Sequence, residues 1–464
     1  MKKPTGGKWF PELRRTKGPL YLALVDAIAS DIQCGTLNVS ERLPPQRELA
    51  KRLRVNYTTV SRAYREAQRR GLVYSRVGQG TFVCRPRVSQ LSLARGDSVV
   101  DMTMNLPPEP DDPVLLDRLE NSLSRVAARL RPLLRYEEFG GSPDARSAAQ
   151  CWLSRVSITA ELDCLLVCPG AQSALLAIVS LHAKPGDVVV CEAITYPGIR
   201  ALATQFGIRL VGLPSDEQGI CNDAFARACV ELHPKLLYCN PTLQNPTTVT
   251  VSAARRRELI RTARAHGVII LEDDAYAFLP SSRPEPFVRL APDITYYVSG
   301  FAKCLGAGLR VAYLLAPDAR RAARLASIMR ATAVMASPIT VAFATECIEN
   351  GTAEAVLDAI RAESVARQQI AREALAGMSY LADPEGFHVW LSLTAPWSRG
   401  SLSMQMRRRN VFAVASDAFR VSGQPPEAVR LCLGGTLSRE ELRHALGLFA
   451  DAMSPPRSTD PTTQ

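Results

Sequence analysis

The chain has 464 residues, 47% hydrophobic and 22% charged. At roughly 100–200 residues per domain, that length calls for two or more domains. No apolar run approaches the ~18 residues of a membrane span, and no apolar core follows the basic start at Met1-Lys2-Lys3, so a membrane anchor and a secretory signal are not expected. The twelve cysteines are scattered and form no CxxC pair, which predicts reduced thiols, a cytoplasmic protein and no metal site.

The charge is uneven. Residues 1–90 hold 18 Lys+Arg and 6 Asp+Glu, whereas the rest holds 38 and 39. A basic module fused to a neutral body suits a polyanion such as double-stranded DNA.

In chain order, Leu20, Leu24, Ile28 and Ile32, with Tyr21 and Val25 beside them, predict a helix whose apolar stripe ends before Gly35. Pro44-Pro45 opens a second helix that turns Leu49, Ala50 and Leu53 inward. Asn56 is placed to cap a third helix from about Tyr57 to Arg70, with Val60, Ala63, Tyr64 and Ala67 facing inward and Gly71 ending it. Thr58, Thr59, Ser61, Arg62 and Arg65 then point outward. Two helices and a short turn presenting Thr, Ser and Arg form a helix-turn-helix pattern. Arg donates two bonds to guanine, and Thr offers a hydroxyl and a methyl to base edges. Leu72-Val73-Tyr74 and Thr81-Phe82-Val83 flank a glycine turn at Gly78 and Gly80, which predicts a small hairpin able to approach a phosphate backbone.

The blocks Leu43-Pro44-Pro45-Gln46-Arg47-Glu48-Leu49-Ala50, Thr58-Thr59-Val60-Ser61-Arg62-Ala63-Tyr64 and Gly78-Gln79-Gly80-Thr81-Phe82-Val83 resemble the GntR-type winged helix. The resemblance covers about 65 residues, within a domain set at 17–84. It implies DNA contact by Arg47, Thr58, Thr59, Ser61, Arg62, Arg65, Gly78 and Gly80. Tyr57 stands where that family usually has an arginine that touches DNA, so operator preference is expected to differ.

Residues 85–100 lack periodicity and read as a linker. Beyond them, seven apolar runs alternate with helical stretches: 165–168, 188–191, 208–211, 236–239, 268–271, 296–299 and 311–315. Strands buried on both faces look like this, so an α/β fold with a mainly parallel sheet is expected, its site beyond the carboxyl ends of the strands. After the first run, Gly170-Ala171-Gln172 opens a helix whose free N–H groups suit a phosphate, a weak signal alone. After later runs come Asn245, Asp273, Tyr276, Lys303 and Arg310. A lysine for an aldehyde, a carboxylate for a ring nitrogen and an arginine for a phosphate suit pyridoxal 5'-phosphate, although spacing alone does not name the cofactor.

Residues 101–453 resemble a fold-type I aminotransferase through Asn245-Pro246-Thr247, Asp273-x-x-Tyr276 and Lys303…Gly308-Leu309-Arg310. The resemblance implies that Lys303 bonds the cofactor aldehyde and Asp273 pairs with the pyridine nitrogen. It also implies that Asn245 and Tyr276 reach the ring oxygen while Tyr196 stacks on the ring. Ala171, Gln172, Ser299 and Arg310 would hold the phosphate, Tyr136 would reach the phosphate of a partner subunit, and Arg430 would bind a substrate carboxylate. Three positions depart from the pattern. Gly300 and Ala302 stand where serines are frequent in the motif before the lysine, so both hydroxyls are missing and Ser299 replaces them only in part, and Thr248 follows Asn-Pro-Thr where glycine is usual.

A winged helix followed by such a domain resembles the MocR subfamily of GntR-type transcriptional regulators. It implies a homodimer that binds double-stranded DNA and senses an amino acid or amine. The rival expectations are a working aminotransferase that carries a DNA-binding domain and a DNA-binding scaffold whose large domain only dimerises. Residues 454–464 read as a disordered tail by composition.

Overall fold

The computed structural model describes residues 9–11, 19–33, 36–38, 41–69, 72–76, 80–83 and 99–453. Gly35, Gly71, Gly78, most of the expected linker and the tail lie outside the described residues. The chain divides into two compact units, Met1–Gly96 and Asp97–Gln464.

The first unit contains α1 (Leu20–Gln33), α2 (Gln46–Leu53), α3 (Tyr57–Arg69) and an antiparallel hairpin of β1 (Val73–Arg76) and β2 (Gly80–Val83). Its core follows the sequence periodicity: Leu24, Val25, Ile28, Leu49, Val60, Ala63, Tyr64, Ala67, Val73 and Val83 are all buried. Leu20, counted in the stripe, is instead 46% exposed at the helix start. Asn56 caps α3, its Oδ1 accepting from the Thr58 N–H and hydroxyl at 2.9 Å each. The buried Tyr64 hydroxyl donates to the Pro44 carbonyl at 2.7 Å, tying α3 to the turn before α2.

The second unit begins with β3 (Val100–Asp101), α4 (Pro113–Ala128), α5 (Leu130–Leu133), α6 (Pro143–Ser154), β4 (Leu165–Cys168), α7 (Ala171–His182), β5 (Val188–Glu192), α8 (Pro197–Gln205) and β6 (Arg209–Leu213). A short hairpin, β7 (Ser215–Asp216) and β8 (Gly219–Ile220), leads into α9 (Asn222–Leu232), β9 (Leu236–Cys239), α10 (Ala253–His266) and β10 (Ile269–Asp273). Then follow α11 (Phe287–Leu290), β11 (Thr295–Gly300), β12 (Ala312–Leu315), α12 (Ala319–Ala333), α13 (Pro338–Glu349) and α14 (Thr352–Ala374). The C-terminal part comprises β13 (Tyr380–Ala382), β14 (His388–Ser392), α15 (Arg399–Arg407), β15 (Val411–Phe412), β16 (Val414–Ala415), β17 (Ala428–Cys432) and α16 (Arg439–Met453).

The seven apolar runs form one sheet, ordered β4-β12-β11-β10-β9-β5-β6. β12 is antiparallel to both of its neighbours, and the other pairs are parallel. Alternate residues feed opposite faces. Leu236, Tyr238 and Leu271 join the core under α7, α8 and α12, while Leu237, Cys239 and Ile270 join the core under α9 and α10. A smaller antiparallel sheet, β13-β14-β17-β16, packs under α14 and α16. β3 lies apart from both, in a parallel pair with β15.

Candidate functional site

The parallel strands deliver their carboxyl ends to one edge, and the chemically expected residues gather there. Asp273 is the last residue of β10, and Lys303 ends a 3-10 turn (Phe301–Lys303) directly after β11. Gly170, at φ +87°, leads from β4 into α7. A Cβ on Gly170 would lie 2.7 Å from Arg310 Nη2, so a side chain there would push that guanidinium from its place over the helix start, and the positive φ favours glycine in any case. Gly170, at the N-cap of α7, has no side chain to cap the first turn, where Ala171 and Gln172 stand. Free N–H groups and an arginine at a helix N-terminus make an anion seat. Tyr196 stands at the start of α8, its ring folded against Gly198, where a Cβ would come within 2.2 Å of it.

Asp273 is buried. Its Oδ2 accepts from the Tyr238 hydroxyl at 2.8 Å, while Oδ1 has no hydrogen-bond partner among the described residues. Burial pushes its pKa up to about 6, against the pull of Tyr238 and Lys303. Burial also lowers Lys303 to about 8. Lys303 Nζ donates to the Asn105 carbonyl. The Tyr276 hydroxyl accepts from Asn105 Nδ2 at 2.8 Å, which leaves its own proton free to be donated elsewhere.

Arg430 lies on β17, buried, with its guanidinium 5.1 Å over the Phe419 ring. Its Nη1 donates to Asn245 Oδ1 at 2.9 Å and its Nη2 to the Thr103 carbonyl, while Nε is buried and unpartnered among the described residues. Asn245 is held from behind, its N–H donating to Asn240 Oδ1 at 2.8 Å. Thr248 takes φ +66°, the glycine-type conformation expected at that loop position. The Ser299 hydroxyl donates to the Asp274 carbonyl at 3.1 Å and must turn away from it to reach a phosphate. Tyr136 is set apart from this cluster in the single chain, being 80% exposed beyond α5.

Four contributors went unread in the sequence: Asn105, Tyr238, Asn240 and Glu192. Tyr238 was hidden inside an apolar run. Glu192 ends β5 and accepts from the Thr195 hydroxyl at 2.9 Å and the Asn240 N–H at 3.2 Å. Burial raises it to about 7. It thereby ties the loop bearing Tyr196 to the loop bearing Asn245. His388 is buried with Nε2 3.3 Å from the Gln244 carbonyl, and burial lowers it to about 3.

In the first unit, α3 exposes Tyr57, Thr58, Arg62 and Arg65 and half-buries Thr59 and Ser61, while Arg47 is exposed on α2. The Arg62 guanidinium rests 5.3 Å over the Tyr21 ring, which holds it out on the helix surface. Gly80 takes φ +121°, with the Arg42 guanidinium against it. That makes Arg42 a further cation beside the hairpin.

The family model Aminotransferase class I and II matches residues 97–449, and Bacterial regulatory proteins, gntR family, matches residues 20–83. The uncharacterized HTH-type transcriptional regulator YdeF of Bacillus subtilis is 27% identical, covering 94% of this chain and 95% of its own. The vitamin B6 salvage pathway transcriptional repressor PtsJ of Salmonella typhimurium is 28% identical, covering 90% and 95%. Among solved structures, LysN, an alpha-aminoadipate aminotransferase of Thermus thermophilus complexed with N-(5'-phosphopyridoxyl)-L-leucine, superposes with a TM-score of 0.68. It is 22% identical and covers 76% of this chain and 92% of its own.

Proposed function

Because the chain belongs to the class I and II aminotransferases and carries a GntR-family domain before it, the MocR arrangement, we propose that it is a transcriptional regulator. It binds double-stranded DNA through its winged helix and pyridoxal 5'-phosphate in its large unit, and it senses an amino acid or amine there. The observation that carries the reading is the unpartnered Asp273 Oδ1. A buried carboxylate oxygen without a partner is costly, and a protonated pyridine nitrogen would satisfy it. The Gly170–Arg310 cradle fits the phosphate equally well. The relatives that span both units are named as regulators.

When bound, the cofactor supplies an aldehyde that captures primary amines and a ring that withdraws electrons. The chain's own residues do the rest. At about 8, Lys303 is roughly one-tenth neutral at pH 7, which suits a nucleophilic amine. Asp273 holds the ring nitrogen protonated, Tyr276 and Asn245 donate toward the ring oxygen, and Tyr196 covers the ring. Arg310 with the N–H groups of Ala171 and Gln172 holds the phosphate, and Ser299 adds a hydroxyl once turned. Arg430 presents Nε to the effector carboxylate. On DNA, Arg47, Arg62 and Arg65 face the duplex, with Tyr57, Thr58, Thr59 and Ser61 on the same helix surface. Gly80 lies in the hairpin that forms the wing, and Gly78 is a contact the sequence resemblance implies.

A second copy completes the picture. Leu116, Leu123 and Leu130 recur every seven residues along α4 and α5 and are exposed, followed by exposed Leu134 and Tyr136. Such an apolar stripe suits a twofold interface, across which Tyr136 would reach the partner's phosphate.

The test is the visible absorption and the DNA affinity of the full chain during titration with a panel of amino acids and amines. An absorption change that persists and alters DNA affinity, and is lost in Lys303→Ala, supports a sensor. Decay to the pyridoxamine form with release of keto acid makes the chain an aminotransferase. A Lys303→Ala variant that responds like the wild type overturns the mechanism.

A further inference from the structure

Two cations and one phenol of the proposed site share a single backbone segment. Thr103 O accepts from Arg430 Nη2, Asn105 O accepts from Lys303 Nζ, and Asn105 Nδ2 donates to the Tyr276 hydroxyl. The segment is an arch between two fixed points. Upstream, Met102 is fully buried, its N–H donating to the Phe412 carbonyl at 2.9 Å and its carbonyl accepting from the Cys432 N–H at 3.1 Å. Downstream, the Leu106 carbonyl lies where a Cβ on Gly434 would stand, and the Pro107 carbonyl accepts from the Gly435 N–H at 3.0 Å. The arch therefore has no room to slide forward.

At its upstream foot, Asp101 Oδ1 accepts from the Thr103 N–H at 2.8 Å and from the Thr103 hydroxyl at 2.6 Å. Asp101 belongs to β3, whose Val100 N–H donates to the Asn410 carbonyl at 2.8 Å. β3 follows directly in the chain from the residues that join the two units.

The buried, unpartnered Nε and its neighbour Nη2 form one of the two-toothed faces of the Arg430 guanidinium. A carboxylate docking there brings a negative oxygen against the Thr103 carbonyl oxygen on the same nitrogen. Two oxygens repel, and the neutral one yields because the charged hydrogen bond is the stronger. We propose that the Thr103–Asn105 arch is the element that reads an α-carboxylate on Arg430, with Asp101 passing its displacement to β3. Asn105 is a positioning residue in the same arch: its amide, donating to the Tyr276 oxygen, makes that phenol the better donor toward the ring.

The inference rests on the proposed cofactor reading, and the test separates the two. Cofactor-loaded full chain is treated with aminooxyacetate, whose aminooxy nitrogen takes the aldehyde carbon from Lys303 and returns the lysine as a free amine. Its carboxylate engages Arg430. Methoxyamine performs the same exchange without a carboxylate. The absorption spectrum reports loading and reaction, and hydrogen–deuterium exchange reports residues 99–107. Aminooxyacetate is expected to speed amide exchange at Val100 and at 103–106 by about fivefold, as loss of one ordinary hydrogen bond gives, and methoxyamine to leave Val100 unchanged. In Asp101→Ala the change is expected to stay within 103–106, and in Asp101→Asn, which keeps the acceptor oxygen, to reach Val100 again. Unchanged exchange after complete reaction, or equal responses to both probes, overturns the proposal. Failure of the chain to take up cofactor removes the underlying reading, and the spectrum shows that outcome first.

Discussion

Replacing Asp273 with asparagine is expected to shift stability and cofactor affinity in opposite directions. The carboxyl is 4% exposed, accepts one hydrogen bond from Tyr238 and has a second oxygen without a partner among the described residues. Its pKa moves from an ordinary 3.8 to about 6. Holding it ionised in the cofactor-free fold at pH 8 therefore costs about 3 kcal/mol. A raised carboxyl stabilises the fold only while protonated, so that fold loses stability as pH rises from about 4 to about 6 and stays at the lower level beyond. Asparagine keeps an acceptor for Tyr238 but places an unpaired amide where Oδ1 was, which offsets about 1 kcal/mol. Cofactor-free Asp273→Asn should then be about 2 kcal/mol more stable than wild type at pH 8, with the difference gone by pH 4. Its cofactor affinity should fall by about 10- to 150-fold, the 1.5–3 kcal/mol of a hydrogen bond to a charged group. Denaturant melts at the two pH values and a spectrophotometric cofactor titration measure both quantities. A variant less stable at pH 8, or one with a dissociation constant within about twofold of wild type, would refute the placement of Asp273 against the ring nitrogen.

Two further substitutions probe the scaffold. Arg256 and Glu272 form a fully buried pair at 3.3 Å, and Arg256 also donates to the Val251 and Pro241 carbonyls that flank the Asn245 loop. Arg256→Met should cost about 3–5 kcal/mol in denaturant unfolding, and adding Glu272→Gln should recover a large part, because the loss comes mainly from the stranded carboxylate. Thr248→Gly should stabilise by about 1 kcal/mol, since a β-branched residue at φ +66° is strained by roughly 1–3 kcal/mol and glycine's greater chain entropy offsets only part of that. A loss above about 1 kcal/mol would place the strain elsewhere.

What the sequence disclosed depended on how local the signal was. The seven buried strands were visible as apolar runs because both faces of each are covered. The orientation of β12 was not, since a run of apolar residues carries no direction. Asn56 could be assigned its cap because a cap acts within three residues. Asp273 was found at the end of β10 and Lys303 in the turn after β11, next to the apolar runs that pointed to them. Asn105 escaped because its partner Tyr276 is 171 residues away. Tyr238 escaped because a tyrosine inside a hydrophobic strand reads as core until its hydroxyl is seen to reach a carboxylate. The two-residue pairing of β3 with β15 is too short to leave any periodic trace.

The order in which the two units are strung along the chain has a consequence for biosynthesis. Among the described residues, the buried members of the winged-helix core all fall within 9–83, so that core is complete once the first fifth of the chain has emerged. The ligand site closes only when β17 brings Arg430 against Asn245 and Thr103, near the other end. At about 5–20 residues per second, the ribosome needs a further ~20–70 s to make that stretch. On the proposed function, each newly made molecule thus exposes a DNA-reading surface well before it owns a receptor, and a message or chain cut short in that interval yields a reader with nothing to answer to.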